Sequence, residues 1–164
     1  MNFLKKNGPY LISGLVLIAL LLLFLPYLRG GYENQYYASG FYTIFNIKKS
    51  GLKPIASNGT PSALLIIAFI LSVLAMISLI FHKKDIIITL LAGIILLLSS
   101  LIFYFAHLIM KVNLGGAMFT ATFVLYFIPS LLLVAGGSSL YLGILNLKED
   151  RLSNSNQYSY IRKK

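Results

Sequence analysis

The chain has 164 residues, 58% of them hydrophobic and only 11% charged, with a formal net charge of +10. An ordinary soluble domain carries about 25% charged residues, and a water-facing surface this apolar would aggregate. The absence of cysteine excludes disulfides, thiolate metal sites and thiol redox chemistry together.

Four stretches carry no charge: Tyr10–Leu28, Ser62–Phe81, Ile86–Met110 and Ala117–Leu145. Each approaches or exceeds the ~20 apolar residues needed to cross ~30 Å of hydrocarbon. They predict an all-α integral membrane protein, an up-down-up-down four-helix transmembrane bundle with one outer loop of about 33 residues. Residues 1–147 form the membrane domain, and 148–164 form a polar cytoplasmic tail. Lipid is then the first partner, in the cell membrane of a multi-pass protein.

The first span follows the basic start Lys5-Lys6. Its apolar run exceeds the 7–15 residues of a signal-peptide core, and no A-x-A-like site follows closely, so it is predicted to be retained. With the N-terminus in the cytoplasm, nine Lys and Arg side chains fall on the inner side: Lys5, Lys6, Lys83, Lys84, Lys148, Arg151, Arg162, Lys163 and Lys164. Five fall outside: Arg29, Lys48, Lys49, Lys53 and Lys111. Positive charge near span ends favours the cytoplasmic side, which places both termini there. The charge thus reads as topology, and no nucleic-acid partner is expected.

The outer loop, Arg29–Pro61, divides in two. Its first half concentrates Tyr32, Tyr36, Tyr37, Phe41, Tyr42 and Phe45, amphipathic rings suited both to the bilayer interface and to a partner protein. Phe41–Ile47 alternates as a short strand would, and fits a short interfacial helix equally well. The half either folds back as a lid on the bundle or forms a partner-docking surface. The second half, with Gly51, Pro54, Gly59 and Pro61, predicts irregular turns. Asn58-Gly59-Thr60 matches a glycosylation acceptor formally, but Pro61 makes it a turn.

The third span supplies the intramembrane polar candidates. Tyr104, His107 and Lys111 are spaced i, i+3, i+7, one face of a continuous helix. Such a stripe is either a proton relay or an interfacial anchor. The spans contain no Asp or Glu to complete a relay, and Lys111 lies where it can snorkel to water. Asp85 predicts a helix-start charge.

In the fourth span Ala135, Ser139 and Gly143 recur every four residues, the small-residue pattern of closely packed membrane helices, with Gly136-Gly137-Ser138 widening the notch. The seam serves either internal packing or a dimer. Pro129 predicts a kink, with Ser130 or a neighbouring helix taking up the freed carbonyl. Ala68, Ser72 and Met76 of the second span, with Gly93 and Ser100 of the third, suit the same interior. The tail after Leu147 is polar and predicts disorder or a position along the headgroups.

Enzyme motifs are missing: no carboxylate pair, nucleophile elbow or phosphate-cradling glycine loop occurs. The two histidines, His82 and His107, are far apart in sequence. Neither a catalytic residue, a cofactor nor a metal is expected. The leading expectation is a non-enzymatic accessory or scaffold subunit of a membrane complex, bound to another membrane protein or to itself. The rival is a small oligomeric transporter or channel, drawing on Ser99, Ser100, Tyr104 and His107 in the third span and Thr120, Thr122 and Tyr126 in the fourth.

The order of a charged start, a span ending in "FLPY", an outer loop with "SGFYTIF", then three close spans separated by "KKD" and "NLGG" resembles uncharacterised small four-transmembrane-helix proteins of low-G+C bacteria. That resemblance implies a bacterial four-helix membrane protein and transfers no active site. The layout is also similar to claudin-like proteins, whose Trp and paired-Cys loop motif this chain lacks.

Overall fold

A computed structural model describes residues 2–30, 36–45, 62–81, 85–109 and 119–161. Four helices within it are long and apolar enough to cross a membrane: Lys6–Phe24, Ala63–Phe81, Ile86–Tyr104 and Phe123–Arg151. The complete elements are helix α1 (Asn2–Leu21) with a 3-10 turn at Leu22–Phe24, strands β1 (Pro26–Gly30) and β2 (Tyr36–Ser39), and helix α2 (Gly40–Phe45). Then come α3 (Ala63–Phe81), α4 (Ile86–Tyr104), the short α5 (Ala106–Ile109), strand β3 (Phe119–Ala121) and α6 (Phe123–Ile161).

Each long helix packs on two others, in the cyclic order α1, α3, α4, α6, and the α4–α6 pair is the most intimate. The core runs down the middle through Val16, Leu23, Leu65, Leu96, Leu125 and Leu132, all fully buried. Large apolar side chains on the outside are exposed on every long helix, among them Leu17, Leu74, Leu98 and Leu133. Each long helix therefore buries one face and leaves large apolar side chains exposed on another.

Several boundaries differ from the uninterrupted apolar runs. The first span does not continue to Leu28: Leu25 turns to an extended conformation, ψ 162°, and Pro26 opens β1. Proline disfavours the helical region for the residue before it, which accounts for the break. The third span stops at Tyr104, where Phe105 takes φ −89° and ψ 13°, rather than continuing to Met110. The fourth begins at Phe123, because Phe119–Ala121 is drawn into a sheet. Past the apolar run, α6 continues through the polar tail to Ile161. Of the two expectations for the tail, disorder is corrected to helix over residues 148–161, an extension that begins from an already formed helix and needs no new nucleus.

The unforeseen element is a small antiparallel sheet in the order β2-β1-β3 at one end of the bundle. It pairs Arg29 with Tyr37 on one side and with Thr120 on the other. Thr122 locks it to α6: its hydroxyl donates to the carbonyls of Pro26 (2.6 Å) and Tyr27 (3.1 Å). Its backbone N–H also donates to the Tyr27 carbonyl, at 3.2 Å.

Candidate functional site

The small-residue seam of α6 is the best-built feature. Ala135 and Ser139 are fully buried, and a Cβ at Gly143 would lie 2.6 Å from Leu90 Cδ2. The Ser139 hydroxyl donates to the Thr89 carbonyl on α4 at 2.8 Å. Gly136 belongs to the same face: its Cβ would sit 3.0 Å from the Gly93 carbonyl oxygen. Absent side chains let the two backbones touch, and the hydroxyl then bridges them. Gly137 and Ser138 point away, and a Cβ at Gly137 would meet nothing within 4 Å. Of the widened notch, only Gly136 enters the seam.

Ser100 makes a second bridge, donating to the Pro129 carbonyl at 2.7 Å, while Ser130 folds back on the Tyr126 carbonyl at 2.8 Å. On the other side of the bundle, the Ser13 hydroxyl donates to the Pro9 carbonyl at 2.8 Å and reaches the Met76 carbonyl of α3 at 3.3 Å. Ser72 is buried and satisfied within α3 by the Ala68 carbonyl at 2.8 Å. Among the described residues, the buried hydroxyls of Tyr27 and Ser99 have no partner.

The described part of the third span's polar stripe is divided between two helices. Tyr104 ends α4, Phe105 interrupts the winding, and His107 lies in α5 beyond the break, so the i, i+3 spacing no longer guarantees a shared face. Tyr104 is 51% exposed and looks outward, tilted against Tyr126 with ring centroids 6.3 Å apart. Lys111 lies outside the described residues. Of the transporter residues, Ser99 and Ser100 are buried, Thr122 is tied to β1, and Tyr126 is exposed.

In the outer loop, α2 lies against the sheet end of the bundle. Phe41 stacks on Phe24 (5.0 Å between centroids) and meets Phe45 (4.7 Å) and Phe69 (6.2 Å). Phe45 meets Phe69 edge-on at 5.6 Å. Offset and edge-to-face arrangements of this kind favour the ring quadrupoles. Gly40 lets the chain turn in tightly, since a Cβ there would lie 2.9 Å from Leu23 Cδ2 and 3.2 Å from the Tyr27 ring. The Ser62 N–H then donates to the Ile44 carbonyl at 3.3 Å, joining the loop's return to its start. Two loop rings are therefore internal packing groups. Tyr36 and Tyr37 lie in β2 and Tyr42 in α2, whereas Tyr32 and the glycine- and proline-rich half of the loop lie outside the described residues. Sequence reasoning missed the receiving rings, Phe24 and Phe69, which the apolar spans conceal among similar residues.

Among the described residues, no three His, Asp or Glu side chains gather as a metal set. No family model matches the chain, and a search of curated proteins finds no similar one.

Proposed function

We propose that the chain is a non-enzymatic integral membrane protein, an accessory or scaffold subunit that associates with another membrane protein. The observation that carries the membrane reading is the outward face of the four long helices, where leucine, isoleucine and phenylalanine side chains stay exposed. Water would not tolerate that surface, whereas lipid tails match it. The α4 helix, at 19 residues and 1.5 Å per residue, spans roughly 28 Å, close to the hydrocarbon thickness.

The threading runs up-down-up-down. Its support is the residue matching between neighbours: Gly8 against Leu142, Tyr27 against Thr122, Leu90 against Gly143 and Ser100 against Pro129. The sheet and α2 then face outward, and both termini face the cytoplasm of the cell membrane, following the nine-to-five charge asymmetry.

The scaffold reading is supported by how the polar groups are used. Two serine hydroxyls, Ser100 and Ser139, are used to join α4 and α6, which favours a packed bundle over the oligomeric transporter or channel. Gentle detergent extraction from the source membrane, followed by native mass measurement, tests the subunit role. A stoichiometric second membrane protein is the expected result; a lone monomer under every condition would sink it. Flux through proteoliposomes of the purified chain would revive the transporter instead.

A further inference from the structure

One face of α6 is used neither by the seam nor by the core. Val134, Gly137, Tyr141, Ile144, Lys148 and Arg151 are all exposed, and at 100° per residue they fall within a sector of roughly 100°. The sector is ordered along its length. Val134 and Ile144 are aliphatic, Gly137 leaves open space where a side chain would stand, and Tyr141 offers an amphipathic ring, 65% exposed. Beyond them Lys148 and Arg151 stand one turn apart. Glu149 and Asp150 fall on the helix flanks, roughly 120–140° from Gly137.

Resting on the membrane reading above, we propose that this face holds one anionic phospholipid. Its phosphate lies between Lys148 and Arg151, and an acyl chain runs over Tyr141 into the gap at Gly137. Charge complementarity fixes the occupant. A second copy docked here about a two-fold axis would bring its own Lys148 and Arg151 towards these, so like charges would oppose it, whereas an anionic headgroup meets both cations. The dimensions agree. Gly137 to Arg151 covers roughly 21 Å of helix, close to one leaflet with its headgroups. The paired cations reach a phosphate as Arg and Lys commonly do, Arg through two parallel N–H donors.

The test uses the full chain purified in mild detergent, with phosphatidylglycerol or phosphatidylcholine added, and native mass spectrometry to count retained lipid. Phosphatidylglycerol should be held in preference. Each of Lys148→Ala and Arg151→Ala should weaken that preference about fivefold. Gly137→Leu should weaken retention with both cations intact, since a Cβ there meets nothing within 4 Å and the added side chain occupies the gap. Lys6→Ala, which removes an exposed cation outside the sector, should change nothing.

Equal retention of the two lipids would overturn the site, as would an equal effect of Lys6→Ala, which would mean diffuse surface charge. A Gly137→Leu variant that changed oligomeric state but not lipid retention would assign the face to a second copy. Flotation of the wild type with neutral phosphatidylcholine vesicles separates the two levels. Failure to float sinks the membrane reading, whereas flotation without lipid preference sinks only this site.

Discussion

Gly93 on α4 and Gly136 on α6 oppose each other reciprocally: a Cβ on either would come within 3.0 Å of the other's carbonyl oxygen. Each is also covered by a leucine of the opposite helix, Leu140 over Gly93 and Leu97 over Gly136. This close approach of α4 and α6 therefore depends on two missing side chains. Because the obstacle on each side includes backbone, no rotamer change can relieve it.

Gly93→Ala and Gly136→Ala should each destabilise the fold by about 1–3 kcal/mol, the usual cost of forcing volume into a packed site. Gly137→Ala is the control, one residue away on the same helix, and should be neutral or stabilising by up to ~1 kcal/mol from helix propensity. Unfolding in mixed micelles with increasing SDS would read all three. Similar losses at Gly136 and Gly137 would contradict the seam's direction.

Ser139→Ala removes the hydroxyl that reaches Thr89, and Ser100→Ala the one that reaches Pro129. Each should cost about 0.6 kcal/mol and no more than ~1.7, the range for interhelical hydrogen bonds in membranes. The two sites rest on different residues, so their effects should add in the double variant to within ~0.5 kcal/mol.

Tyr27 is the opposite case. Its hydroxyl is fully enclosed and has no partner among the described residues, so Tyr27→Phe removes a polar group left unsatisfied on folding. Thermal stability in detergent should hold or rise. A loss above ~1 kcal/mol would mean that an enclosed water serves the phenol.

Phe41 ties α2, part of the expected lid, to the bundle through Phe24 and Phe69, and it packs on Phe45 of its own helix. With aromatic pairs contributing about 0.5–1.5 kcal/mol beyond area, Phe41→Ala should speed hydrogen exchange across residues 40–45 and leave α4–α6 protection unchanged. Equal acceleration in both would mean that the lid and bundle open as one unit.

Orientation is directly measurable because the chain has no cysteine of its own. Ser50→Cys should react with an impermeant maleimide in intact cells, and Ser155→Cys only after lysis. The reverse pattern would invert the threading and move the search for partners to the cytoplasm.

The amino-acid sequence by itself determined the number and approximate position of the long helices. Apolar length is a local property, and runs such as Ala63–Phe81 are long and apolar enough to cross a membrane as helices. It also placed Asp85 at a helix start, where its carboxylate accepts the N–H groups of Ile87 (2.9 Å) and Ile88 (3.3 Å). The seam residues Ala135, Ser139 and Gly143 were legible for the same reason: small residues at a four-residue spacing define one face. Which helix that face meets was not legible, because the choice of α4 depends on Leu90, Gly93 and Leu97 being complementary to it. The sheet was hidden most completely. Pro26–Gly30 and Phe119–Ala121 are adjacent only in space, and Thr122 reaches Pro26 across 96 positions of sequence. The end of α4 at Phe105 had no proline or glycine to announce it, and it puts Tyr104 and His107 on two separate helices. Hydropathy sees what each segment avoids, and it cannot see which segments meet, so strand pairing, the break at Phe105 and the inward turn of Phe41 were decided only when the helices packed.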